Sequence, residues 1–385
     1  MTTYSLRVED FVELESNQTG LELQELIKIC KRHANPNRDY LFVNALQGKH
    51  LPAKAKRTVA LFHDLYEKVI AALPAGERVM VVAFAETATA IGQAIMQFAR
   101  AEKGFDAVYY VQTTREDLET SYKNLAFEEE HSHAKQQKLY VPESLPAFDR
   151  VLFVEDEITT GKTILNFIDK FREINPEARY AVASILNWQN SQNRAVFEAE
   201  SIERIALVTG KLKESLPTID VKEEVFPQAD VETDASNDLR LEATGNPRQG
   251  LNAHEFDGYL EIAKTLPTRE DLEIPKDAWV EVIGTEENMW LPILLADKLE
   301  ARVRATTRSP IAISKDSGYA ISNGMAFPSI YEAARATYLY EVEAGLSGKV
   351  YTVFYLEGPH PQVEAWIREH YPSDRLRIVY MGEKV

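Results

Sequence analysis

Val151-Leu152-Phe153-Val154-Glu155-Asp156-Glu157-Ile158-Thr159-Thr160-Gly161-Lys162-Thr163 decides how this chain folds. Its first four residues are apolar and β-branched at both ends, as in a strand covered on both faces of a parallel sheet. Glu155 and Asp156 follow at the carboxyl end of that strand, the edge outside which the ligands of such sheets sit. Two neighbouring carboxylates there can accept hydrogen bonds from adjacent sugar hydroxyls. Thr159-Thr160-Gly161-Lys162-Thr163 then makes a small-residue turn opening a helix. The turn offers backbone N–H groups, hydroxyls and a positive helix end to a phosphate. Strand, acidic pair and turn in this order suit a sugar phosphate. Gly161-Lys162-Thr163 also imitates the tail of a nucleotide-hydrolase phosphate loop. That loop needs a glycine five residues before Gly161, and Asp156 stands there.

On either side of this stretch, strands and helices alternate. Val59, Leu61, Phe62, Leu65, Val69 and Ile70 have helical spacing. Strands are expected over 79–84, 108–111, 151–154, 180–186 and 205–208, with helices over 87–100 and from Ile164 through Phe171. Leu26, Ile27, Ile29 and Cys30 also read as helical, with Cys30 a small core residue. Alternation of this kind implies a parallel sheet with helices on both faces. The window 213–242 holds nine acidic and three basic residues and two prolines, and reads as a connector or as an extra edge-strand pair. Beyond it a second α/β pattern appears: strands over 279–283, 302–305, 350–356 and 376–380, helices over 289–299, 333–340 and 363–370. The expected architecture is therefore an α/β domain over 1–212, an acidic connector over 213–252 and a second, smaller α/β domain over 253–385.

The halves echo one another. A strand leads to Ala85-Glu86-Thr87 and a helix, then to a strand ending Thr113-Thr114-Arg115. Later a strand leads to Gly284-Thr285-Glu286-Glu287 and a helix, then to a strand ending Thr306-Thr307-Arg308. Val353-Phe354-Tyr355-Leu356-Glu357-Gly358 partly echoes the segment from Val151 to Asp156, but Pro359-His360-Pro361 replaces the threonine turn. Two readings stand: a decayed repeat that kept its first loop, or two unrelated α/β domains sharing short generic patterns.

The formal net charge of −17 argues against nonspecific binding to nucleic acid or anionic membranes, which needs clustered Lys and Arg. With one cysteine no internal disulfide can form. Neither a signal peptide nor a run of about 18 apolar residues is evident, which reads as a cytoplasmic protein.

Hydrophobic run, acidic pair and Thr-Thr-Gly-x-Thr resemble the phosphoribosyl pyrophosphate signature of type I phosphoribosyltransferases. With Thr307-Arg308-Ser309-Pro310 in a second domain, the chain is similar to the orotate-phosphoribosyltransferase-like proteins with a C-terminal TRSP domain, found in tellurite-resistance and stress-response operons. Further marks are Gly48-Lys49-His50 and Glu128-Glu129-Glu130-His131-Ser132-His133. The resemblance implies a type I phosphoribosyltransferase fold, phosphoribosyl pyrophosphate as donor, a base-like acceptor, Mg²⁺ arriving with the donor near Glu155 and Asp156 with no direct protein ligands, and a homodimer.

Roles follow from the chemistry of ribosyl transfer, in which pyrophosphate leaves an oxocarbenium-like sugar. Thr159 to Thr163 suit the 5′-phosphate, and Glu155 and Asp156 the ribose. The loop Ala85-Glu86-Thr87-Ala88 takes the place of the pyrophosphate loop. Glu86 either meets a Mg²⁺-bound water or acceptor amine, or complements the helix dipole. Arg115 either clamps departing pyrophosphate or pairs with Glu116 or Asp117 at the surface. The polar segment 116–140 suits a lid, in which His131 and His133 either serve as acids or sit on a solvated acidic tip. By resemblance only, Lys49 and His50 belong to a hood over the acceptor. Glu286, Glu287, Thr307, Arg308 and Ser309 form a possible second anion or acid site. Competing with the transferase are a sensor that binds the donor and signals through the C-terminal domain, and a catalytic second domain.

Overall fold

The computed structural model describes residues 4–33, 39–125, 137–226, 239–243, 245–332 and 335–383. The first part of the chain supplies β1 (Val12–Asn17), β2 (Ile27–Lys31), β3 (Tyr40–Asn44), β4 (Ala53–Lys54), β5 (Arg78–Ala83) and β6 (Asp106–Gln112). It continues through β7 (Lys123–Asn124), β8 (Tyr140–Val141), β9 (Arg150–Ile158), β10 (Arg179–Asn187) and β11 (Glu203–Leu212). The second part supplies β12 (Leu239–Ala243), β13 (Leu251–Asn252), β14 (Val280–Gly284), β15 (Arg302–Ala305), β16 (Gly324–Pro328), β17 (Ala336–Tyr340), β18 (Tyr351–Glu357) and β19 (Leu376–Glu383).

Two mainly parallel sheets result, ordered β1-β11-β10-β9-β5-β6-β13 and β12-β19-β18-β14-β15-β4. Within the first, β6, β5, β9 and β10 are mutually parallel. Within the second, β15, β14, β18 and β19 are too. Both quartets place their strands in the same order: second, first, third, fourth. Of the two sequence readings, this is the outcome a repeat requires. The sheets also exchange edges. β4, from the first half, runs antiparallel to β15 of the second sheet. β13, from the second half, runs antiparallel to β6 of the first.

The core strands are apolar on both faces because helices cover both. The helix Ala55–Ala72 buries Leu61, Phe62, Leu65, Tyr66 and Val69 along one stripe. The helix Thr89–Glu102 lies close on β5: a Cβ at Gly92 would meet the Cβ of Ala83 at 2.5 Å. That spacing is available only to glycine. Phe153, Phe167, Phe171 and Tyr180 fill the opposite face of the first sheet.

Two local expectations are overturned. Residues 27–31 form strand β2 and pair antiparallel with β3. The apolar run there is too short to separate helix from strand by period, and β3 supplies the partner that decides. Cys30 is buried, and burial pushes its thiol up to about 12. Residues 336–340 are likewise a strand, paired with β16, where a helix is expected over 333–340. Ala-Thr-Tyr-Leu-Tyr carries β-branched and aromatic residues that suit a half-covered sheet.

Candidate active site

β9 runs four residues past the end of its pairing with β5. Ala83↔Val154 is the last β5–β9 pair, whereas pairing with β10 continues to Asn187↔Ile158. Glu155, Asp156 and Glu157 are thus held beside β10 on one side and lie beyond the end of the β5 pairing on the other. Glu155 and Asp156 are half-buried. Burial, and then the neighbouring Asp156 charge, push the Glu155 carboxyl well above its ordinary value. Burial raises Asp156 too, against a hydrogen bond donated by the Thr87 hydroxyl at 2.8 Å.

The turn after β9 is held from below. Gly161 has φ +79° and caps the helix Lys162–Ile174. A Cβ there would meet the Phe197 ring at 2.5 Å, so both backbone angle and space demand glycine. The Gln189 side chain donates to the Thr160 carbonyl at 3.3 Å. Thr160 and Lys162 are exposed, and Thr159, Gly161 and Thr163 partly so. An exposed helix start of this kind suits an anion, whose charge the helix dipole favours.

After β5 comes the loop Ala85 to Ala88, which begins the helix Thr89–Glu102. The Ala85 N–H donates to the Thr113 hydroxyl (2.8 Å), Gln137 donates to the Ala85 carbonyl (2.7 Å), and Gln47 donates to the Thr87 carbonyl (2.7 Å). Thr113 also donates to Gln137 (2.8 Å), and Thr114 and Lys138 exchange backbone bonds. Both ends of the 116–140 segment are therefore fastened beside this loop. His131 and His133 lie outside the described residues. Arg115 is half-buried, and its Nε finds no hydrogen-bond partner among the described residues.

Glu86 takes its partners elsewhere. It is buried against the second half, where its carboxylate meets Lys49 Nζ at 2.5 Å and accepts from the Arg308 N–H at 3.1 Å. Burial pushes Glu86 up, but the Lys49 ammonium outweighs it and holds the carboxyl below its usual range. Lys49 is fully buried and also donates to the Glu286 carbonyl at 2.5 Å. His50 is buried beside it, 3.4 Å from the Thr307 hydroxyl, and burial followed by the Lys49 charge lowers its pKa to about 4. Lys49 and His50 thus sit in the seam between the halves.

The five residues of the possible second site come together in the same seam, with their charges matched internally. Glu286 accepts from Arg308 Nε (2.8 Å), the Ser329 hydroxyl (2.6 Å) and the Ile330 N–H (3.2 Å). Glu287 meets Arg248 Nε at 2.6 Å and accepts from the Thr114 hydroxyl (2.9 Å) and the Arg115 N–H (3.2 Å). Arg308 also pairs with Glu116, which Arg335 holds from the other side at 2.6 Å. The Thr307 hydroxyl accepts from the Ser309 N–H at 3.1 Å.

Sequence reasoning missed Gln47, Gln137, Gln189 and Phe197, which fix the loops. It also missed Arg248, which forks onto Glu357 at 3.0 Å through both terminal nitrogens. Arg248 stands just before β13, as Lys49 and His50 stand just before β4. The repeat, followed through the connector, could have exposed it.

A phosphoribosyl transferase model matches residues 26–211, and a model of the TRSP domain found C-terminal to that transferase matches residues 246–369. The chain belongs to this family of phosphoribosyltransferases with a C-terminal TRSP domain. Among solved structures, it is similar to adenine phosphoribosyltransferase from Trypanosoma brucei, in complex with AMP, pyrophosphate and ribose-5-phosphate. The identity is 14%, with 48% of this chain and 77% of that chain covered and a TM-score of 0.35. The enzyme from Saccharomyces cerevisiae is 12% identical over 48% of this chain and 96% of its own, with a TM-score of 0.32. That from Thermoanaerobacter pseudethanolicus is 15% identical over 48% and 96%, with a TM-score of 0.33. No curated protein matches the chain.

Proposed function

We propose that this phosphoribosyltransferase uses the opening between β5, β6 and β9 to transfer 5-phosphoribosyl from Mg²⁺-bound phosphoribosyl pyrophosphate to a nitrogenous, base-like acceptor. The product class is a nucleoside-like stress metabolite. The observation that carries the reading is the Thr87–Asp156 hydrogen bond of 2.8 Å. It joins the candidate pyrophosphate loop to the candidate ribose carboxylates, with the glycine-capped helix start on the same strand end.

In the reaction the bond from C1′ to the pyrophosphate oxygen breaks, pyrophosphate leaves with the electron pair, and the acceptor nitrogen bonds to C1′ and gives up its proton. Glu155 and Asp156 accept from the ribose hydroxyls and orient the ring. The N–H groups and hydroxyls of Thr159 to Thr163 hold the 5′-phosphate, and Arg115 neutralises charge on the departing group. Among the described residues no group of three or more His, Cys, Asp or Glu side chains is arranged to hold a metal. Two adjacent carboxylates fit an ion that arrives on the donor and keeps several waters, as Mg²⁺ does. When bound, the ion would offset pyrophosphate charge.

³¹P NMR of Mg²⁺–phosphoribosyl pyrophosphate with the protein and a bacterial metabolite extract tests the reading. Pyrophosphate should form with the parent and not with Asp156→Asn. Unchanged donor signals with the parent at saturating protein would refute it.

A further inference from the structure

The seam between the halves repeats itself. Glu86 is held by Lys49 of its own half at 2.5 Å and by the Arg308 N–H of the other half at 3.1 Å. Glu287 is held by Arg248 of its own half at 2.6 Å and by the Arg115 N–H of the other half at 3.2 Å. The Lys49 carbonyl accepts from the Ala305 N–H at the end of β15 (3.0 Å), and the Pro247 carbonyl accepts from the Gln112 N–H at the end of β6 (3.1 Å). β4 and β13 cross over in the same reciprocal way. Contacts in which i meets j and the counterpart of j meets the counterpart of i are the mark of an isologous two-fold interface. Here that interface lies within one chain.

The symmetry breaks at the strand ends. Among the described residues no cation pairs with Glu155 or Asp156, whereas their counterpart Glu357 is ion-paired. Arg248 forks onto it, and Tyr331 donates to it at 2.5 Å. The second half thus satisfies its strand-end carboxylate with its own Arg248 and Tyr331.

We propose that the second half serves as a tethered pseudo-subunit, in which Glu287 is a positioning residue that reaches across the seam to fix the Thr114–Arg115 turn and so aims Arg115 at the first half's site. Glu287 grips that turn twice, at the Thr114 hydroxyl and at the Arg115 N–H. The Arg115 guanidinium is left with an unpartnered Nε among the described residues. Glu287 touches no substrate; it acts through Arg115. This rests on the donor site proposed above, and its test is built to separate the two.

The first arm measures hydrogen exchange of the amides at 113–115 in the full-length parent, Glu287→Gln and Glu287→Asp, without donor. Protection should fall about tenfold in Glu287→Gln, one factor of ten per 1.4 kcal/mol of lost charge-assisted bonding, and return partly in Glu287→Asp. Unchanged protection would overturn the proposal. The second arm measures the affinity of Mg²⁺–phosphoribosyl pyrophosphate for the parent, Glu287→Gln, Arg115→Ala and the double variant. Each single change should weaken binding about tenfold, and the double should bind no worse than Arg115→Ala alone. Additive effects would show that Glu287 acts independently of Arg115 and would overturn the proposal. A parent that binds no donor would sink the donor reading instead, leaving the exchange arm to decide this one.

Discussion

Lys49→Met should be among the most damaging substitutions in the chain. The Lys49 side chain has no exposed surface and Glu86 has 7%. Methionine fills nearly the same volume, so the loss is electrostatic rather than steric. It removes the ammonium that lies 2.5 Å from both the Glu86 carboxylate and the Glu286 carbonyl. Glu86 would remain buried with the Arg308 N–H as its remaining bond. Breaking one side of a buried pair in this way costs about 3–5 kcal/mol, a large part of the roughly 5–15 kcal/mol that holds a domain folded. Adding Glu86→Gln removes the stranded charge and should recover about 2 kcal/mol, within the range of coupling seen between contacting groups. Urea denaturation followed by far-ultraviolet circular dichroism reads both, as a lowered midpoint at constant slope. A cost for Lys49→Met below about 1 kcal/mol, the value of an exposed pair, would refute the buried seam. So would equal damage in the single and double variants.

Three further outcomes follow from the same geometry. Gly161→Ala should destabilise by about 1–3 kcal/mol, combining a left-handed backbone with a Cβ pressed on Phe197; thermal melting reads the first effect and donor titration should show the helix start displaced. Glu155→Gln should raise the melting temperature of the ligand-free protein at neutral pH while abolishing donor binding, because burial and Asp156 already disfavour the carboxylate; by the same sign, the penalty from ionised Glu155 is relieved as pH falls through its raised pKa. His50 is lowered from 6.5 to about 4, so it carries no proton-linked cost above pH 6.5 and a penalty that grows to roughly 3 kcal/mol, at 1.36 kcal/mol per decade, as pH falls toward 4; denaturation midpoints of His50→Gln against pH should lack that slope.

The sheet was legible because its strands are buried on both faces and carry continuous apolar runs. So was the strand–acidic pair–turn at 151–163, whose residues are neighbours in sequence. The hairpins β2–β3 and β16–β17 were not, since short apolar segments become strands only when a partner lies alongside. The seam was hidden for a different reason. Glu86, Lys49, Arg308, Glu287, Arg248 and Arg115 carry the charges and small turns that mark ligand sites. Only the folded chain shows that Lys49 spends its charge on Glu86, Arg248 on Glu287 and Glu357, and Arg308 on Glu286 and Glu116. The edge strands β4 and β13 are two residues each, too short for any periodicity, yet they determine which half each loop leans on.

The pattern of loss in the second half has a physical logic. Its first loop and its Thr-Thr-Arg strand end lie in the seam. Removing the Arg308 side chain would strip a partner from Glu286 and Glu116, and removing Glu287 would strip one from Arg248, the Thr114 hydroxyl and the Arg115 N–H. Nothing in the seam depends on an open strand end at Glu357. Arg248 neutralises the Glu357 carboxylate and packs against Tyr331, 5.1 Å from guanidinium to ring centre. A half held to its partner by matched charges can therefore shed its ligand site and still keep the signatures at its first loop. In this chain, those signatures make structural contacts across the seam in both halves, and in the first the same loop also reaches Asp156 through Thr87.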